Sequence, residues 1–450
     1  THSYLNHTPP PRPPSYFKPP PPPPPPPGGG GGAPPPPLPL LPLSCNRNYT
    51  ILWTGQLLSQ LTAEILAIAL PLLILAGSGS PLQMGLASSV LSLAQMAAVV
   101  PAGVLADRWN RRTILLVSAG ARTLGMAALA TSLALGHYTF PLVLAAVAVE
   151  GVFGAAFDPA EHAALTQVVP EEQLSAAVAR NTARPYVAAV LGPPAAGFLF
   201  AVHPVHPFLA NAVMLALCCG ALALLRLPGR PAPPADAPAP RTTRGDVLDG
   251  FSWVLGRRVI RTTLAWVMLT NFVFGALMVV VLALAGEDDV GAGETGLMMG
   301  CFGVGGVLGA LAAPRLYARL PAALIVLGFS WLAATGTAAM AFVPPGIELG
   351  LLLGLLALLA PTANTAVLTY QLMATPDALR GRLSGVAGFC SGGAGALGPA
   401  AGGSLMAATG GGAPAVLGCA AAFAVIALLV TASPTMRRFP STNTDAGAGS

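Results

Sequence analysis

Four ionisable residues lie inside otherwise apolar stretches of this 450-residue chain: Glu64, Arg122, Glu150 and Asp158. An ionisable side chain is costly to place in hydrocarbon, and those found there usually serve an ion or substrate pathway. Glu150 and Asp158 are eight positions apart and therefore share nearly one face of a helix. A carboxylate in such surroundings can cycle a proton, with Arg122 as a charge partner for Glu64 or Glu150. The pattern predicts proton handling in the first half of the chain.

A structural interpretation of the same charges is also open. Glu64 with Arg122, or Asp158 with Arg184, could form ion pairs that only lock helices together. Asp158 suits that role best, because residues 157–160 (Phe-Asp-Pro-Ala) are typical of a helix end.

The composition determines which elements must position these residues. Of the chain, 54% is hydrophobic and 9% is charged, whereas a soluble globular protein carries about 25% charged residues. A soluble enzyme is therefore excluded, and no catalytic residues are assigned. Apolar runs long enough to cross a bilayer occur twelve times. We place the helices at about 51–76, 82–105, 113–135, 140–160, 176–200, 207–226, 262–285, 295–313, 321–343, 348–372, 384–408 and 413–431.

The arginines indicate how these spans are oriented. Basic residues accumulate on cytoplasmic loops, and here they fall in the even-numbered connectors and after the last span, with connector four as an exception. The odd-numbered connectors contain no arginine or lysine. We therefore predict a multi-pass protein of the plasma membrane with both termini in the cytoplasm.

Internal repeats divide the chain into two halves. Residues 103–107 (Gly-Val-Leu-Ala-Asp) recur as 309–313, and residues 191–197 recur as 397–403, both with an offset of 206. We predict an all-α membrane protein of twelve transmembrane helices in two pseudo-symmetric halves. Its parts are a disordered Pro/Gly-rich tail at 1–48, a six-helix half at 49–226, a cytoplasmic linker at 227–261, a second half at 262–431 and a disordered tail at 432–450.

A polar turn between the second and third spans carries Gly103, Asp107, Arg108, Arg111 and Arg112. It resembles the signature G-x-L-a-D-r-x-x-R-[RK] of the major facilitator superfamily, over a chain that is similar to that family from about 49 to 431. The resemblance implies rocker-switch alternating access and a gating role for the aspartate, which latches the cytoplasmic side. A positive-inside turn without a gating role is the alternative. The second copy has lost the acid, since Ala313 stands at the corresponding position.

The fifth span contains Gly192, Pro193 and Gly197, which are similar to the family's antiporter motif G-x-x-x-G-P-x-x-G-G. Ala188 and Ala196 replace two of its glycines. The resemblance implies antiport, and a plain proline kink is the alternative.

Several short strings are similar to one subgroup, the enterobactin-exporter and macrolide-efflux type transporters. They are residues 46–59, 69–73, 157–160, 169–174 and 379–384. The resemblance implies export of a small lipophilic molecule such as a drug, an antibiotic or a siderophore, driven by proton entry. We expect no cofactor and a monomer.

Polar residues in otherwise apolar spans are candidates for the substrate cavity, where few aromatic side chains are expected. They are Gln60, Gln95, Asn181, Asn271, Asn364, Tyr370 and Gln371. Other functions lack support. The single lysine, Lys18, excludes a P-loop, no basic cluster indicates nucleic-acid binding, and the cysteines lack metal-type spacing.

The sequence thus predicts a proton-coupled exporter whose partners are a small molecule, protons and the lipid bilayer. Two rivals stay open. One is an importer or facilitator on the same fold. The other is a non-transporting membrane scaffold or sensor that recruits partners through the proline-rich segment at 1–44.

Overall fold

The computed structural model describes residues 42–226, 256–375 and 377–437, excluding the side chains at 104, 107, 108, 171, 377–382 and 384. Most of the predicted tails and of the predicted linker lies outside these ranges. A turn of 3-10 helix, Leu43–Cys45, precedes the first long helix.

Twelve long helices make up nearly all of the described chain. They are α1 Arg47–Ser78, α2 Pro81–Arg108, α3 Arg111–Ala134, α4 Phe140–Val168, α5 Glu171–Val202, α6 His206–Ala223, α7 Arg258–Glu287, α8 Ala292–Arg319, α9 Ala322–Met340, α10 Ile347–Met373, α11 Asp377–Thr409 and α12 Gly412–Ala432, followed by a single turn, α13 Pro434–Arg437.

Eleven of these helices are long and apolar enough to cross a membrane, judged on the described residues. The exception is α11, whose many glycines add little hydropathy although the helix is 33 residues long. It packs along α2 and α7 like the spans around it. The predicted twelve-helix membrane fold is confirmed.

The fourth and fifth helices are longer than predicted. The Phe-Asp-Pro-Ala segment does not end a helix, because α4 continues through Pro159 to Val168. The fifth helix begins at Glu171, five residues before the predicted start. Apolarity was the criterion for the predicted ends, but a helix can continue beyond the hydrocarbon region with polar side chains. This extension brings Glu161 into a helix.

The packing within each half repeats. In the first half α1 packs on α5 and α6, α3 packs on α4 and α6, and α2 packs on α4. The second half repeats these pairs as α7 on α11 and α12, α9 on α10 and α12, and α8 on α10. The two halves meet where α2 packs on α11 and where α5 packs on α8. The pseudo-symmetry that relates the halves converts the first of these contacts into the second.

Glycines allow the backbones of the two halves to approach closely toward one end. A Cβ on Gly303 would lie 2.2 Å from the carbonyl oxygen of Ala189, and one on Gly85 would lie 2.3 Å from that of Pro399. Both contacts lie toward the odd-numbered connectors, and we call this the closed end. At the opposite, open end, Gly103 and Gly385 have no atom within 4 Å of the Cβ position.

A hydrogen bond also joins the halves toward the closed end. The backbone N–H of Ala400 on α11 donates to Ser89 Oγ on α2 over 2.9 Å. Close backbone packing and this hydrogen bond therefore hold the closed end together.

Candidate functional site

A buried ion pair joins α3 to α4 in the first half. Arg122 Nε donates to Glu150 Oε1 over 2.9 Å, and Nη2 of the same guanidinium bonds the same oxygen. Arg122 is 1% exposed and Glu150 is 4% exposed. Helix α1 completes the site, since Arg122 Nη1 donates to Ser59 Oγ over 2.6 Å and Nη2 reaches Thr62 Oγ1 at 3.3 Å.

The guanidinium of Arg122 thus has hydrogen-bond acceptors on both α4 and α1, whereas only one oxygen of the Glu150 carboxylate is hydrogen-bonded. Glu150 Oε2 is buried and has no hydrogen-bond partner among the described residues. A desolvated charge pair is stable only when its geometry is good and its remaining polar atoms find partners. Glu150 Oε2 is therefore a buried oxygen of the first half that lacks a described hydrogen-bond partner.

Glu64 is not the partner of Arg122, which corrects one of the two structural pairings considered above. Its carboxylate makes no hydrogen bond or ion pair with any described residue, and its side chain is half-buried. The backbone of α5 approaches it closely, because a Cβ on Gly192 would lie 2.3 Å from Glu64 Cβ. Glu64 is therefore the unpaired acid in the middle of α1.

The second structural pairing, Asp158 with Arg184, is also wrong. Arg184 Nη1 lies 3.2 Å from Glu161 Oε1, and both side chains are almost completely buried. Asp158 is exposed and instead accepts a hydrogen bond from Gln56 Nε2. Sequence reasoning missed Glu161 because it lies beyond the predicted end of the fourth span. The i, i+3 spacing from Asp158 was the available signal.

Two arginines of the polar turn bind backbone carbonyls within the first half. Arg111 Nη1 donates to Ala163 O of α4 over 2.6 Å, and Arg112 Nη2 donates to Ala223 O at the end of α6 over 2.5 Å. A cation at a helix C-terminus also interacts favourably with the helix dipole. The side chains of Asp107 and Arg108 lie outside the described residues, so the gating role of this turn stays a prediction.

The antiporter-like motif lies at the interface between the halves. Gly197 faces α8, where a Cβ would lie 2.3 Å from Ala292 O, and Gly296 faces Pro193 O at 2.6 Å. Gly192, on another face of α5, packs against α1. The motif thus connects an acid-bearing helix of the first half to a helix of the second, and its role in antiport stays a prediction.

The cavity candidates divide into three groups. Asn271 and Asn364 line one cavity in the second half. Gln60 and Asn181 have side-chain atoms that are buried without a described partner. The others are dispersed, with Gln95 exposed on α2, Tyr370 half-buried on α10 and Gln371 donating to Thr263 Oγ1 over 3.0 Å.

The expectation that few aromatic side chains line the substrate cavity stays a prediction, but one cavity of the second half is rich in aromatic rings. Phe274, Phe302 and Phe329 line the same cavity as the two asparagines. They come from α7, α8 and α9, and only helix packing brings them together. No sequence spacing within one helix signals such a cluster.

Twelve helices in two pseudo-symmetric halves, which meet along α2 with α11 and along α5 with α8, define the architecture of a secondary transporter. The sequence model of the Major Facilitator Superfamily matches residues 52–399. The chain belongs to this family.

Similar proteins agree with this assignment. The chain is 24% identical to the "Enterobactin exporter EntS" of Escherichia coli O1:K1 / APEC over 353 residues, which cover 78% of this chain and 83% of that protein. It is 26% identical to the protein of the same name from Shigella boydii serotype 18 over 356 residues, with coverages of 78% and 83%.

Solved structures share the fold. The nucleoside transporter NupG superposes with a TM-score of 0.68 at 14% identity, covering 85% of this chain and 97% of that one. A bacterial homolog of the human lysosomal transporter Spinster, solved in an inward-facing and unoccupied conformation, superposes with a TM-score of 0.64 at 16% identity, covering 88% and 97%.

Proposed function

We propose that this transporter is a proton-coupled exporter of a small lipophilic organic molecule, acting as a monomer by alternating access. The observation that carries the proposal is the location of charge inside the membrane. Glu64, Arg122 and Glu150 all lie within spans of the first half, whereas the middle of each span from α7 to α12 contains no acidic or basic residue. Such residues are retained in spans chiefly for ion and substrate pathways.

The two acids differ in their capacity to exchange a proton. Glu150 is engaged by Arg122, whereas Glu64 has no described partner and packs against the antiporter-like motif at Gly192. Protonation of Glu64 would neutralise its carboxylate next to α5, the helix that contacts α8 of the second half. We propose Glu64 as the proton-carrying acid and the Arg122–Glu150 pair as its fixed electrostatic background.

The proposed direction rests on two supports. The relatives are named as enterobactin exporters, and the arginine distribution favours cytoplasmic termini. With that orientation the open end faces the cytoplasm, which suits collection of a molecule made or accumulated inside the cell. A siderophore-like molecule is the first substrate to test.

Reconstituted vesicles test the proposal directly. Enterobactin is the probe, and its movement is measured across vesicles with an imposed proton gradient of either sign. We expect movement opposite to the proton flow, which collapses when a protonophore is added. Movement that is unchanged without a gradient would show that proton coupling is wrong. Movement in the same direction as the protons would identify an importer.

Glu64→Gln should uncouple the transporter. The amide preserves the size of the side chain but cannot release a proton, so gradient-driven accumulation should fall to the level of empty vesicles while exchange of substrate across the membrane persists. Glu348→Gln is the matched control, because Glu348 is an exposed acid in the first turn of α10. Gradient-driven accumulation by Glu64→Gln at the wild-type rate would exclude Glu64 as the proton carrier.

Asp107→Asn should weaken the proposed cytoplasmic latch. We expect transport to fall at least about fivefold, which corresponds to the low end of typical conformational coupling energies, with expression and insertion unchanged. Glu172→Gln is the control, since Glu172 is an exposed acid at the start of α5, toward the same end of the protein. A wild-type transport rate in Asp107→Asn would refute the latch.

A further inference from the structure

The second half contains a cavity of about 260 Å³ between α7, α8, α9 and α10. Its lining includes Phe274, Met278, Phe302 and Phe329, with the side-chain amides of Asn271 and Asn364. No ionisable residue occurs among the described lining residues. The cavity therefore differs in chemistry from the charged site of the first half.

The aromatic wall is held in place by rings behind it. Phe274 stacks on Phe329 with centroids 6.4 Å apart and planes 11° apart, and it lies 6.4 Å from Phe302. Phe423 meets Phe274 edge-on at 5.4 Å, and Trp266 meets Phe329 edge-on at 6.0 Å. Ring pairs at these separations attract one another beyond simple burial. The wall is thus preorganised to receive another ring.

The polar groups of the cavity are few and partly free. Asn364 makes no hydrogen bond with any described residue. Asn271 Nδ2 donates to Ser391 Oγ over 2.5 Å, which leaves its carbonyl oxygen available as an acceptor. Two amides can accept from and donate to a hydroxyl or amide of a ligand. They cannot neutralise a full charge, and a bare charge is expensive to desolvate.

Size limits the occupant further. An apolar cavity of about 150 Å³ accommodates benzene, so about 260 Å³ accommodates one bicyclic ring system. Drug-sized ligands occupy pockets of about 300–1,000 Å³. The cavity is therefore large enough for one ring system of a substrate but too small for a complete drug-sized molecule.

We infer that this cavity is a substrate subsite for an uncharged aromatic ring that carries a hydroxyl or amide group. The inference rests on the proposed transport function and adds a division of labour to it. The first half handles the proton through its charged groups, and the second half recognises an aromatic part of the substrate through Phe274, Phe302 and Asn364.

Equilibrium binding to the purified full chain in nanodiscs tests this subsite without any gradient. The probe is 2-naphthol, and decahydro-2-naphthol is the matched ligand that has the hydroxyl but no aromatic face. We expect the aromatic probe to bind more tightly to the wild-type protein, by about two- to tenfold for the stacking contribution. Equal binding of the two ligands by the wild-type protein would overturn the inference.

Two substitutions locate the binding. Phe302→Leu preserves an apolar side chain and removes one ring, and Asn364→Ala removes the free amide. Each should weaken 2-naphthol binding about two- to tenfold, whereas Phe342→Leu, at a position 82% exposed outside the cavity, should bind like the wild type. Unchanged binding by both cavity variants would overturn the assignment. If binding follows the expected pattern while vesicles show no export, the proposed export fails and the subsite stands.

Discussion

Arg122→Gln should lower the free energy of unfolding by about 3–5 kcal/mol, the usual cost of leaving one member of a buried ion pair uncompensated, and should abolish proton-coupled transport. The substitution leaves the carboxylate of Glu150 buried at 4% exposure without its guanidinium. It also removes the hydrogen bonds to Ser59 and Thr62 that connect α1 to this pair. Chemical or thermal unfolding in detergent and transport in vesicles measure the two effects.

The double variant Arg122→Gln with Glu150→Gln separates stability from transport. Two amides of similar size leave no buried charge, so most of the lost stability should return. Coupled transport should stay absent, because the buried charge pair that contacts α1 at Ser59 and Thr62 is gone. Recovery of coupled transport by the double variant would show that the pair serves only to hold α3 and α4 together.

The second buried pair supplies a matched control. Arg184 and Glu161 are at least as well buried as Arg122 and Glu150, and they join α5 to α4. Both residues lie in the half of their helix that is nearer the open end, Glu161 before the end of α4 at Val168 and Arg184 after the start of α5 at Glu171. Arg184→Gln alone should be strongly destabilising, and adding Glu161→Gln should restore both stability and coupled transport.

Gly303→Ala should reduce the transport rate at least about fivefold, because it destabilises the arrangement in which the two halves are in contact at the closed end. The added Cβ would lie 2.2 Å from the carbonyl oxygen of Ala189, and a backbone atom cannot turn aside as a side chain can. Overpacking of this kind costs about 1–3 kcal/mol, which is about fivefold or more in the population of the closed arrangement. Vesicle transport measures the rate, and hydrogen–deuterium exchange of 189–202 should rise.

Gly306→Ala is the control for this substitution. It introduces the same side chain one turn further along α8, at a position with no atom within 4 Å of the Cβ. Any effect of helix propensity is therefore shared, and only the contact with α5 differs. Equal transport by the two variants would show that close contact at Gly303 is not required for the transport cycle.

Much of the fold was predictable because it depends on features that can be identified position by position along the sequence. Span lengths, arginine-bearing connectors and the repeat offset of 206 residues can be read along the chain, and they led to twelve helices in two halves. Apolarity alone failed to locate one helix end. At Pro159, a proline and falling apolarity predicted that the fourth helix ends. A hydropathy threshold marks where hydrocarbon ends, but α4 continues to Val168 beyond that point.

The candidate site was only partly predictable. Glu64, Arg122 and Glu150 were identified from the cost of placing charge in a span, and Arg122 had two possible partners. The structure pairs Arg122 with Glu150 and Arg184 with Glu161. Partner choice depends on the rotation of each helix about its axis, and that rotation is determined by packing against several neighbours at once.

By itself, then, the sequence determined that this chain is a two-halved membrane protein with ionisable groups in its first half, because hydropathy and charge act residue by residue along the chain. Only the tertiary structure decided which charges pair, which end is closed, and that Phe274, Phe302 and Phe329 share a wall with Asn364. These are contacts between helices distant in sequence, and close packing of whole helices brings them about.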